Sequence, residues 1–201
     1  MGTHLDLAKT IGPADRQIIK GAFTELKRHV TLALADANAG AARFNTWFCP
    51  AGAANLAAVQ LAVTTTLTAM NTFLNGATSY TLTVTINTGV RTGSTAYGFV
   101  YPDLGRLPQR AGQLYIIYLG AHWQGQLAVG QAATGAAHGR DAQVQVLAHE
   151  LSHHFGTNSA AIAGGAYSAE HYDAAALALV AANPLYAAHN ADNYEYYVEE
   201  M

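Results

Sequence analysis

Apolar residues recur every three or four positions between Asp15 and Ala37, where Ile19, Phe23, Leu26, Val30 and Leu34 form one stripe, and this period predicts a helix. Leu56, Val59, Val63, Leu67 and Met70 repeat the spacing and predict a second helix from Ala53 to Leu74, so the N-terminal third reads as a helix pair. From Ser79 to Asn87 the period falls to two, with Tyr80, Leu82, Val84 and Ile86 alternating against Thr81, Thr83 and Thr85, as in a half-buried strand. Tyr97–Tyr101 and Leu114–Leu119 are short β-branched and aromatic runs bounded by Gly and Pro, which predicts two more strands of the same sheet. Gln124 to Gly139 reads as a loop. Helical spacing returns from Asp141 to Phe155, with Leu147, Leu151 and Phe155 in one stripe. Two short helices follow, Asp173 to Ala182, stopped near Pro184, and Ala191 to Glu200. Helices, a small mixed sheet, one further helix and C-terminal helices make an α+β layout, expected as one domain over residues 1–201.

Composition narrows what such a domain does. The 201 residues are 51% hydrophobic and 11% charged, enough apolar material for a sizeable core. A net charge of −3 without a Lys/Arg cluster argues against nucleic-acid or anionic-membrane partners. The weakly polar stretch from Ala51 to Leu74 is broken by Asn55, Gln60 and a run of Thr, so it does not read as a membrane span. The opening residues lack a basic region followed by an apolar one, which leaves an intracellular chain, a mature form and an excised domain all open. Cys49 is the single cysteine, so any metal must be held by His and carboxylate groups rather than a thiolate cage.

The chemistry concentrates at His149-Glu150-Leu151-Ser152-His153. Histidines four apart on a helix lie one turn apart on one face and can bind a single zinc ion. Glu150, about 100° round the helix, is placed to take the proton of a zinc-activated water, the arrangement of metal-assisted peptide hydrolysis. Leu147, Leu151 and Phe155 point roughly the other way, so one face is expected to pack while the other lines a cleft. The bland alternative is a fortuitous polar helix face. His154-Phe155-Gly156 opens like the longer metzincin motif, but Ser159 stands where that motif needs its last ligand.

The last ninety or so residues resemble the aspzincin zinc peptidases, namely deuterolysin and, more closely, the peptidyl-Lys metalloendopeptidases. The resemblance is carried by Ile117-Tyr118-Leu119-Gly120, by Arg140-Asp141 leading to Leu147–His153, by Gly156-Thr157, and by Asn183-Pro184 followed by Asn190-Ala191-Asp192-Asn193-Tyr194-Glu195-Tyr196-Tyr197. It implies a zincin-like fold, a zinc cofactor and a protein or peptide substrate, and such an enzyme is expected to be secreted or delivered outside the producing cell. Nothing in the residues names an inhibitor, an immunity partner or a toxin target.

The chain departs from that family's pattern at one point. The family has Gly-Thr-x-Asp-x-x-Tyr-Gly after its active-site helix, with Asp as third zinc ligand and Tyr steadying the oxyanion. Gly156-Thr157-Asn158-Ser159 lacks that Asp, and Ser168-Ala169-Glu170-His171-Tyr172-Asp173 occupies the corresponding place counted back from Asn183-Pro184. The resemblance then implies Glu170 as third ligand, ahead of Asp173, His154 and His171, and Tyr172 ahead of Tyr167 as oxyanion donor. A helix start capped by Ser168 is the plain reading of the same segment.

Asp192 and Glu195 are three apart on a predicted helix and can converge on one ammonium group. They match the acidic pair with which the peptidyl-Lys enzymes hold a substrate lysine, so cleavage on the N-terminal side of lysine is expected. A capping box is the plain alternative, with Asn190 free to cap instead. Broad deuterolysin-like specificity and a catalytically silent zincin-like binding module also stay open. Tyr80, Tyr101, Tyr115 and Tyr118 read as packing, Trp47, Phe48 and Trp123 as core or cleft wall, His122 and His138 as solvated loop residues, and Asp141 as a helix-start acid.

Overall fold

In the computed structural model, residues 2–86, 98–100, 114–120, 123, 130–131, 137–138, 141–157, 170–172 and 174–201 are described. The chain begins with a strand, β1 (His4–Leu7), ahead of the helices α1 (Pro13–Ala39), α2 (Ala42–Trp47) and α3 (Leu56–Asn75). Strands β2 (Thr81–Ile86), β3 (Gly98–Phe99) and β4 (Leu114–Leu119) follow, then the two-residue pair β5 (Gly130–Gln131) and β6 (Ala137–His138). The C-terminal part holds α4 (Asp141–His153), α5 (Ala174–Ala182), α6 (Pro184–Ala187) and α7 (Ala191–Glu199).

The main sheet has the order β1-β2-β4-β3. β1 and β4 flank β2 in parallel, with Leu5 opposite Leu82 and Ile117 opposite Val84, while β3 runs antiparallel to β4. The sheet is therefore mixed, as the sequence pattern leads one to expect. Leu82 and Val84 are fully buried, the inward half of the period-2 alternation, and they join Tyr115, Ile117 and Leu119 of β4 in one core. The stripes of α1 and α3 fill that core from one side through Ile19, Leu26, Leu67 and Met70, and α4 enters it with Leu147 and Leu151. Phe73 of α3 and Phe155 just beyond α4 both pack against Tyr115, so α3, β4 and α4 meet at one aromatic contact.

Several expectations shift. β1 and α2 turn the N-terminal helix pair into a strand and three helices. The helix expected to stop near Pro184 does end at Ala182, and Pro184 in addition begins a short helix: it occupies the first helical position of α6, and Asn183 caps it by accepting the Tyr186 N–H. α4 is buried all round from Val144 to Ser152, His149 and Glu150 included, so it does not divide into a packed face and an open one. No helix among the described residues is long and apolar enough to cross a membrane.

Candidate active site

Helix α4 runs through the core and carries His149 and His153 on one face, their ring centroids 5.0 Å apart. Each imidazole is held by its Nδ1. That of His149 faces two carboxylates, Glu195 at 2.8 Å and Asp192 at 3.1 Å. That of His153 donates to the Thr157 carbonyl at 2.6 Å. A carbonyl oxygen only accepts, so Nδ1 of His153 carries a proton and Nε2 is the nitrogen turned toward Glu170. The Thr157 carbonyl is brought there by Gly156, whose φ of +133° lies where side chains are strained and whose added Cβ would meet Thr66 Oγ1 at 3.2 Å. Ser152, donating to the His149 carbonyl at 2.7 Å and paired with Thr157 at 2.6 Å, stiffens the same turn.

Glu170 lies outside any helix or strand, yet its Oε1 stands 3.3 Å from Nε2 of both His149 and His153. Its other oxygen accepts the Tyr172 hydroxyl at 2.6 Å, and the Tyr172 ring lies almost parallel to His149, centroids 6.4 Å apart. The two remaining histidines offered for the third position point elsewhere. His154 packs edge-on against Tyr115, and burial pushes it down to about 4, so it stays neutral. His171 packs on Tyr186. Asp173, Tyr167, Ser168 and His122 lie outside the described residues, as do the side chains of Asp141 and His138.

Electrostatics follow from that crowding. Burial alone would depress His149, but hydrogen bonds with Asp192, Glu170 and Glu195 outweigh it and hold the imidazole well above its usual range. Burial likewise works against the Glu170 carboxylate and is overcome by the two histidines, which hold it far below the usual carboxylate range. Burial and the neighbouring Asp192 push Glu195 up despite its hydrogen bond to His149. Glu150 is 4% exposed, and Gly98 of β3 faces it so closely that an added Cβ would come within 3.0 Å of its Cγ and Oε1.

Helix α7 is the second wall. Asp192, Glu195 and Glu199 lie along one face of it, a row that meets α4, where Gln145 donates to Glu199 one turn before His149. Trp47 stacks on Tyr196 at 5.1 Å, and Phe48 packs edge-on against Tyr194 and Tyr197 at 4.9 and 5.1 Å, so α2 pins α7 in place.

Residues 33–199 match the family model described as lysine-specific metallo-endopeptidase, the aspzincins. The chain belongs to this family. As an aspzincin it is a metalloendopeptidase. Its fold is similar to that of a zinc peptidase from Grifola frondosa, with a TM-score of 0.60 at 23% identity over 94% of this chain and 97% of that one. No curated protein matches.

The donor set of this aspzincin suits zinc. His149, His153 and Glu170 offer one ligand atom each, all within 4.8 Å of one another, and two imidazoles with a carboxylate are ligands of the type zinc takes when a fourth position stays open. The carboxylates on His149 and the carbonyl on His153 fix which ring nitrogen faces inward, the usual support of a zinc-binding imidazole. His149, Asp192 and Glu195 form a second convergent group on the other side of the same ring. The structure brings His149, His153, Glu170 and Tyr172 together and sets Asp192 and Glu195 against the other nitrogen of His149, while Glu150, next to His149 on α4, has its carboxylate against Gly98. Reasoning from sequence missed Thr157, Gly98 and Asn190 as participants. Gly156-Thr157 carried a signal, since a glycine right after a histidine-bearing helix marks a sharp turn back; Asn190 stood out as part of the Asn-Ala-Asp segment and as a cap, and Gly98 carried no signal.

Proposed function

We propose that this aspzincin binds zinc through His149, His153 and Glu170 and hydrolyses peptide bonds with Glu150 as general base. The observation that carries the reading is the position of Glu170 Oε1, 3.3 Å from both inward-facing nitrogens. The Gly156-Thr157 turn lacks the Asp of the family pattern, and the Glu170 carboxylate at the two histidines is the donor that favours an enzyme over a silent binding module. Zinc held by these three residues would supply a Lewis acid for the scissile carbonyl and a water with its pKa lowered to about 7. Glu150 accepts the proton of that water and returns it to the leaving amine. Tyr172, whose hydroxyl is kept protonated by burial and the adjacent Glu170, turns its one proton from Glu170 Oε2 to the oxygen on which negative charge develops. Tyr172 is 56% exposed, so a peptide can approach it. The test is zinc stoichiometry with casein cleavage. Glu170→Ala is expected to lose most of its zinc and activity together, and a fully loaded Glu170→Ala protein would refute the ligand assignment.

We further propose a preference for lysine on the C-terminal side of the scissile bond, held by Asp192 and Glu195. Two carboxylates crowd one nitrogen of His149, more acceptors than that nitrogen can satisfy, and Glu195 is the more open of the two, with a side chain 16% exposed against 4%. An ammonium group paired there in a partly desolvated setting gains a few kcal/mol, about a hundredfold preference. A second reading is favoured by the same contacts: both acids only orient His149, and specificity is broad. Sequencing the new N-termini of a digested unfolded protein separates the two, because enrichment in lysine supports the first and its absence leaves the second.

A further inference from the structure

We propose that Asn190 is a positioning residue whose carboxamide clamps the backbone at His171 and thereby sets both Glu170 and Tyr172. The segment 170–172 belongs to no helix or strand, and its backbone meets α5 where the Tyr172 carbonyl accepts the Ala175 N–H at 3.0 Å and the Ala176 N–H at 3.4 Å. Its middle is anchored by a side chain. The His171 N–H donates to Asn190 Oδ1 at 3.0 Å, and Asn190 Nδ2 donates to the His171 carbonyl at 2.8 Å. The carboxamide thus stands in for the peptide unit of a neighbouring strand, meeting both polar groups of one residue. Side chains alternate about this grip. His171 packs on Tyr186, while Glu170 and Tyr172, one residue to either side, both face His149.

The orientation of the carboxamide is itself determined. Asn193 is fully buried and donates through Nδ2 to the carbonyls of Trp47 at 2.7 Å and Ala176 at 3.1 Å. Both its protons are then used, and its Oδ1 faces Asn190 Nδ2 at 2.8 Å. Asn190, 4% exposed, therefore has one proton for Asn193, one for the His171 carbonyl and an oxygen for the His171 N–H. Flipping either amide would set donor against donor. A chain of amides runs from α2 and α5 through α7 to the segment that carries the third ligand. Asn190 does not cap α7 with its side chain, the role that sequence spacing suggests for it.

This inference rests on Glu170 as a zinc ligand, and the experiment separates the two. Zinc dissociation constants are measured by chelator competition on the full chain and on Asn190→Ala, Asn190→Asp and Glu170→Ala, alongside the metal-free melting temperature and amide hydrogen exchange at His171. Asn190→Ala is expected to bind zinc about 10–100-fold more weakly, with the His171 amide exchanging faster. Asn190→Asp, which keeps the acceptor and loses the donors, should fall between. An Asn190→Ala protein that melts lower but binds zinc like the parent, while Glu170→Ala binds it poorly, overturns the clamp and leaves the ligand reading intact. Unchanged zinc affinity in Glu170→Ala overturns the ligand reading, and with it the role of the clamp in zinc binding. Should Asn190→Ala fail to fold, the parent protein decides: a His171 amide exchanging as fast as an unstructured peptide overturns the clamp, and a protected one supports it.

Discussion

Glu150 follows His149 on α4, and its carboxylate is buried against the backbone of Gly98. Replacing it by Gln changes shape little and removes the base, so kcat is expected to fall by about 10²–10⁴-fold while zinc content and melting temperature hold. Turnover near that of the parent would show that another group takes the proton. The residues of this reaction differ in how far the sequence exposes them. His149, Glu150 and His153 are legible because helical spacing alone places two imidazoles on one face. Glu170 is legible only by resemblance and by counting from Asn183-Pro184, since no local period surrounds it. Asp192 and Glu195 were legible as a convergent acidic pair, but not as partners of an imidazole more than forty positions earlier in the chain. Asn190 was the least legible, because a residue that can cap a helix and one that can grip a distant backbone are the same residue until the partner is known.

At the scale of elements, the long periodic segments were readable and the short ones were not. α1, α3 and β2 show several repeats of their period, and β4 a bounded apolar run, so each appears where that pattern places it. β1, with four residues, and α2, with six, are too short to display one. Pro184 does two things at once: α5 ends at Ala182 just before it, as expected, while its fixed φ begins α6, a helix of four residues too short to show a period. The burial of α4 on all sides has a consequence for catalysis through β3. Gly98 lies where a Cβ would come within 3.0 Å of Glu150 Cγ, Glu150 Oε1 and Val146 Cγ1, all on α4. Gly98→Ala must therefore move β3 or the Glu150 carboxylate. Kinetics should show kcat reduced by about tenfold to a hundredfold, the cost of a misplaced catalytic group, with zinc still bound. An alanine variant with parental kcat would mean that β3 yields freely and does not seat Glu150.

Across the whole molecule, the α+β layout was legible from the change of period along the chain. The meeting of α4, α7 and the segment before α5 was not, because it depends on contacts between residues far apart in sequence. That meeting makes the proposed zinc site a tie between distant parts: His149 and His153 stand on α4, and Glu170 stands in a segment held by Asn190 at the start of α7. A ligand bound only by the folded chain stabilises it by about 4 kcal/mol at a concentration a thousand times its Kd. For a domain of this size each kcal/mol raises the melting temperature by roughly 2–4 °C, so zinc should raise it by about 10 °C over chelator-stripped protein. The core does not depend on that tie, since β2, β4, α1, α3 and α4 share one cluster of buried apolar side chains. Stripped protein is therefore expected to melt cooperatively at the lower temperature rather than to be unfolded, unlike small domains folded by their metal. In Glu170→Ala two imidazoles remain, and zinc at the same concentration should give less than half the parental shift. Calorimetry of the parent and of Glu170→Ala, each stripped and reloaded, decides the matter: an equal shift in both would remove Glu170 from the tie, and a parent that gains nothing from zinc would remove the site itself.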